Sequence, residues 1–117
     1  ARSKAASGDR TGAIDDAARA VLLRPDDPWV MVAAGDAVAT LDPVAARGYW
    51  NRALYDLEGQ PVPPAGIAWV HRRLARLDDG EGHGANALRH WRSLLALRPD
   101  NSEAKRRIDE LTGGNTP

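Results

Sequence analysis

The sequence contains no cysteine, no phenylalanine and a single methionine. Without cysteine there can be no disulfide framework, no thiol nucleophile and no thiolate zinc site. Either redox compartment tolerates such a chain, so periplasm and cytoplasm both stay open. Charge of one sign is missing too: sixteen Lys and Arg balance sixteen Asp and Glu. A formally neutral chain has no overall field to attract nucleic acid or an anionic membrane. No apolar run approaches the ~20 residues of a membrane span, so direct membrane insertion is not expected. The opening segment, Ala1 to Asp9, is small and polar and does not read as a signal peptide.

What is present instead is alanine. There are 21 alanines, against 22 Leu, Ile and Val together in 117 residues. So small an aliphatic supply fills a core only if backbones approach closely, which alanine-rich helices do. No stretch alternates apolar and polar residues between turn markers. The fold class expected is therefore all-α.

The helices can be placed by spacing. Ala13, Ala17, Ala20 and Pro25 follow a step of four, then three, then five. Ala46, Trp50 and Ala53 repeat that face 33 residues on, with Glu58 where the proline would stand. Ala87, Trp91, Leu94 and Pro99 repeat it after another 41. Steps of four and three mark one face of a helix. Leu-Arg-Pro-Asp closes two of the three faces, at Leu23–Asp26 and Leu97–Asp100.

Partner helices fall between. Asp27-Pro28 and Asp42-Pro43 each read as an N-cap followed by proline in the first turn. The first opens a helix carrying Met31, Ala34, Gly35 and Val38; the second opens one from Pro43 to about Leu57. Gly59 to Pro63 must be a loop. Ile67, Val70, Leu74 and Leu77 share the face of another helix, which ends before the glycines at 80, 82 and 84. A further helix spans about Ala85 to Arg98. The last is expected to open at Asp100, with Glu103 as capping-box partner, and to bury Ala104, Ile108 and Leu111.

Chemistry-bearing constellations are scarce. The three histidines, His71, His83 and His90, show no i, i+4 spacing on a helix and no HExxH pattern. They read as surface or packing residues, and neither a metal nor a cofactor is expected. Gly80-Glu81-Gly82-His83-Gly84 lacks the Lys-Ser/Thr of a phosphate loop and follows a helix, so it reads as a turn. Asp26-Asp27 and Asp78-Asp79 read as caps, and Asp15-Asp16 as acids in the first turns of a helix. Ser7, Ser93 and Ser102 have no nucleophile-elbow context. Arg72, Arg73 and Arg76, with Arg106 and Arg107, read as solvated helix faces. No catalytic constellation converges, so an enzyme is not expected, nor is nucleic-acid binding.

These residues together resemble the tetratricopeptide repeat, a helix–turn–helix unit of ~34 residues. Ala13, Ala20 and Pro25 match its second helix, with Ala17 at the aromatic position, and Gly8-Asp9 is similar to its inter-helix turn. Ala34-Gly35 matches the small pair of the first helix, and Ala46, Trp50 and Ala53 its partner. Ala87, Trp91 and Pro99 match again, with Leu94 in place of alanine. The likeness covers nearly the whole chain. It implies helix pairs stacked as a right-handed α-solenoid over residues 1–112. The units would be 1–27, 28–60 and 64–100, followed by a capping helix at 101–112 and a tail at 113–117. The first unit would be a truncated one, starting inside its first helix.

By the same resemblance, the first helices of the units line a concave wall that binds a peptide or partner segment. The residues carried to that wall are Arg2, Trp29, Val32, Asp36, Thr40, Trp69, Arg72 and Arg76. An apolar centre flanked by basic groups suits a peptide with an apolar anchor and an acidic end. For Trp29, a core position and a groove position are equally compatible with the spacing. Ala33 and Ala65 replace an asparagine and a basic residue of the family's carboxylate clamp, which speaks against chaperone-tail recognition.

The function expected is a non-catalytic protein–protein interaction scaffold. Pro25 to Trp29 and Trp91 to Asp100 are also similar to arrays of exopolysaccharide-export and cytochrome c maturation proteins. That likeness implies a larger bacterial envelope or secretion assembly. Two alternatives remain: a self-assembly module associating through the truncated first unit, and a regulatory appendage of an enzyme.

Overall fold

The computed structural model describes the backbone of residues 2–113 and the side chains of residues 12–113. Among the described residues there are six α-helices and no strand. They are α1 (Arg2–Leu23), α2 (Pro28–Val38), α3 (Pro43–Glu58), α4 (Ile67–Gly80), α5 (Gly84–Leu97) and α6 (Ser102–Leu111). The all-α expectation holds. None of these helices is long and apolar enough to cross a membrane.

Side-chain caps explain where three of the six begin. Asp27 accepts from the backbone N–H groups of Trp29 and Val30, and Asp42 from that of Ala45, with Pro28 and Pro43 each opening the helix. Both carboxylates satisfy donors that a first turn leaves without intrahelical partners. The α6 start differs from expectation. Asn101, not Asp100, is its cap, and the Asn101 side chain accepts from the Ala104 N–H at 2.8 Å. Glu103 does not turn back to complete a capping box; it reaches across to α4 instead.

Two further boundaries are corrected. The backbone runs helical through Gly8 and Asp9, so the inter-helix turn expected there is not formed. In consequence Asp15 and Asp16 lie mid-helix and exposed, not in a first turn. Asp78 and Asp79 are not caps either; they occupy the last turn of α4, where the helix dipole disfavours negative charge. The tail expected at 113–117 lies, from residue 114 on, outside the described residues.

The chain divides into two compact units, Ala1–Gly59 and Gln60–Pro117. In the first, α2 packs against both α1 and α3. Its interior holds Met31, Val38, Trp50 and Leu57 with Ala17, Ala34, Ala46 and Ala53. Trp50 donates from its indole N–H to the Val32 carbonyl at 3.2 Å, and its ring occupies the space a Cβ on Gly35 would take. In the second unit, α5 packs against α4 and α6. Ala68 and Ala75 of α4 join Ala87, Trp91 and Leu94 of α5 and Ala104 of α6 in one buried cluster. Alanines at the helix crossings thus bring backbones together around one tryptophan in each unit, Trp50 and Trp91.

Candidate functional site

The residues expected on a binding wall fall into four groups. Arg2 lies outside the residues whose side chains are described. Val32 is buried at 6% exposure and fills the interior of the first unit, not a wall. Trp29, Asp36 and Thr40 are exposed on or just after α2; for Trp29, at 45% exposure, the structure selects the surface over the core.

In the second unit, Trp69, Arg72 and Arg76 do come together, but with their own chain as partner. The guanidinium carbons of Arg72 and Arg98 stand 5.9 and 5.3 Å from the Trp69 ring centre, within cation–π range. Arg72 Nε donates to Glu103 Oε1 at 2.8 Å. Arg76 donates from Nε to Oε2 at 2.9 Å and from Nη2 to Oε1 at 3.1 Å. The charge that an acidic peptide end would have met is already answered by Glu103. Burial opposes ionisation of Glu103, but the hydrogen bonds and charges of Arg76 and Arg72 outweigh it and hold the carboxyl below its ordinary range.

A second network ties α4, α5 and α6 at one point. Asp79 accepts from the Trp91 indole N–H at 2.8 Å. It also takes two bonds of 2.9 Å from Arg107, Nε to Oδ2 and Nη2 to Oδ1. That two-pronged geometry is the strongest form of the pair. Burial again works against the carboxylate, and the bonds from Arg107 and Trp91 again prevail, lowering its pKa. Arg107 is held more firmly protonated by Asp79 and Glu110. Sequence reading missed both carboxylates. One signal was available for Asp79: a buried tryptophan N–H needs an acceptor.

The histidines separate. His71 and His90 are buried, and their Nδ1 atoms lie 3.0 Å apart across α4 and α5. One ring must donate and the other accept. They are packing histidines, as expected, but also a polar pair that spacing within one helix could not disclose. His83 precedes α5 and is exposed, with Nδ1 at 3.7 Å from both Asp78 and Glu81 carboxylate oxygens. Donor atoms of these three residues lie within 4.8 Å of one another, the reach of a single cation. His83 and Glu81 are exposed, and Asp78 is buried.

Between α1 and α2 the first unit carries an open apolar groove of about 530 Å³. Ala13, Ala17 and Ala20 form one bank; Val30, Ala33 and Ala37 form the other, with Ala34 between them and Asp16 at the rim. Small side chains leave the floor close to both helix backbones. The sequence pattern placed Ala13, Ala17, Ala20 and Ala34 on helix faces, and of these Ala17 and Ala34 are buried. Ala33 and Ala37 are not; they face outward and widen the groove.

No protein-family model matches this sequence, and none of the curated proteins is significantly similar to it.

Proposed function

We propose that this protein is a non-catalytic interaction scaffold of the tetratricopeptide-repeat kind. In this reading its helix pairs stack as a right-handed α-solenoid, and a segment of a partner protein docks on an open helix face. The observation that carries the reading is the alanine-lined groove between α1 and α2. An apolar concavity of that size on a domain this small is the surface type that protein segments fill. The repeat part is supported by the recurrence of Leu-Arg-Pro-Asp with the same turn geometry in both units. Arg24 N–H bonds the Ala20 carbonyl, as Arg98 N–H bonds that of Leu94.

The docking face in this proposal is the groove and not the arginine cluster, because Glu103 already binds Arg72 and Arg76. Display of a library of natural protein segments against the folded chain tests the reading. It predicts enrichment of a sequence family that binds the folded chain and not the urea-unfolded one. A selection that enriches no family removes the scaffold assignment.

A further inference from the structure

The groove of the first unit has a counterpart inside the same chain, and there it is filled. Advancing 74 positions carries α1 onto α5 and α2 onto α6. The helices end alike, at Leu23 and Leu97, and restart alike, at Pro28 and Ser102. The turn between them repeats bond for bond: Asp27 N–H to the Arg24 carbonyl at 3.2 Å, and Asn101 N–H to that of Arg98 at 3.0 Å. The caps also agree, Asp27 holding the N–H of Val30 as Asn101 holds that of Ala104.

In the second unit a helix lies across this junction. It is α4, whose Ala68 and Ala75 pack in one cluster with α5 and α6. Its Asp79 bonds residues of both. The positions that receive α4 are Ala87, Trp91, Leu94 and Arg107. Their equivalents in the first unit are Ala13, Ala17, Ala20 and Ala33, which line the open groove.

We propose that the α1–α2 groove seats a helix from a partner protein, lying as α4 lies across α5 and α6. That helix is basic and bears bulky apolar side chains where α4 bears Ala68 and Ala75. This rests on the scaffold reading and names its ligand class. The apolar part follows from volume. The seat of α4 is built with tryptophan and leucine and receives alanines; the groove is built with alanines at those positions, so its occupant supplies the bulk. Close packing demands that one side of a helix contact be large where the other is small.

The charge follows from two exchanged positions. Asp16 stands where the second unit has His90, which meets His71 of α4. Trp29 stands where it has Glu103, which meets Arg72 and Arg76. A cation at those registers of the occupant faces a carboxylate at Asp16 and an exposed indole at Trp29.

The test uses two stapled peptides, with the staple on the outward face, binding to the full 117-residue chain. One has the sequence of residues 67–80 with Asp79→Ala, so that no partner of Arg107 is offered to position 33; the other adds Ala68→Leu, His71→Arg and Ala75→Leu. The leucine peptide is expected to bind at least tenfold tighter, and to shift the amide resonances of residues 13–37. Ala33→Arg, an exposed position that the second unit fills with Arg107, abolishes that binding while helicity and unfolding midpoint stay unchanged. Asp16→Asn weakens it severalfold, with the effect fading at high salt.

Equal affinity of the two peptides, no binding by either, or binding indifferent to Ala33→Arg would overturn the proposal. A chain that is dimeric in light scattering and monomeric as Ala33→Arg would also overturn it, since a second copy then fills the groove. The scaffold reading fails separately. Library segments that bind the folded chain and survive Ala33→Arg keep that reading and remove this one; an empty selection removes both.

Discussion

The indole of Trp50 lies against Gly35, its Nε1, Cδ1 and Cε2 occupying the space a Cβ there would need. The same indole N–H reaches the Val32 carbonyl one turn away on α2. A glycine that would weaken an ordinary helix by roughly 0.5–1 kcal/mol relative to alanine here lets α2 and α3 close around a buried ring.

Gly35→Ala is therefore expected to destabilise the chain, against helix propensity. Overpacking of this kind costs about 1–3 kcal/mol, more than the propensity gain. Urea unfolding followed by circular dichroism measures it. In a Trp50→Leu background the cost should largely vanish. A raised midpoint in Gly35→Ala alone would mean that the ring moves aside freely.

Asp79→Ala should cost more than an ordinary surface substitution. It strands the N–H of Trp91, itself 1% exposed, and removes the two-pronged partner of Arg107. Leaving one buried donor unmet costs about 1–3 kcal/mol. Asp79→Asn, which keeps an acceptor for the indole, should lose less. Equal losses in the two variants would show that the indole bond contributes nothing.

Acid should unfold the chain partly through the same carboxylates. Asp79 and Glu103 have folded pKa values below their ordinary 3.8 and 4.5. The unfolded state then binds more protons, so stability rises with pH through this window. Their contribution is complete above about pH 4.5 and is lost as pH falls through the lowered folded values. Combining Asp79→Asn with Glu103→Gln should flatten the acid limb of a stability–pH curve. An unchanged slope would place the acid sensitivity elsewhere.

The contact between His71 and His90 requires that one Nδ1 carry a proton and the other not. Long-range nitrogen–proton correlation spectra at pH 8 should therefore show one ring of each kind. Two rings both bare at Nδ1 would contradict the 3.0 Å contact.

The helices were legible because their signals are local. Asp27-Pro28 and Asp42-Pro43 cap as chemistry requires, whatever they pack against. The alanine, tryptophan and leucine positions at steps of four and three are all buried in α3 and α5, where a packed helix buries one face, whereas in α1 only Ala17 is. The misreadings came where a local signal competed with a distant partner. Glu103 has the spacing of a capping box, yet two arginines of α4 offer it charge-assisted bonds that a single backbone N–H cannot match. Asp79 sits beside a helix end and reads as a cap until Trp91 and Arg107 are placed next to it. Gly8-Asp9 has turn composition, but glycine only lowers helix stability and does not forbid a helix.

The sequence by itself determined the all-α class, the starts of α2 and α3, and the recurrence of Leu-Arg-Pro-Asp 74 positions apart. Backbone hydrogen bonds and caps are made within a few residues, so the code for them is short-range. Only the tertiary structure decided which alanines are buried and which line an open groove. It also decided that Arg72 and Arg76 close on Glu103, and that two histidines 19 positions apart share one proton. Those outcomes depend on which helix faces meet, and that is settled by the packing of side chains far apart in the chain.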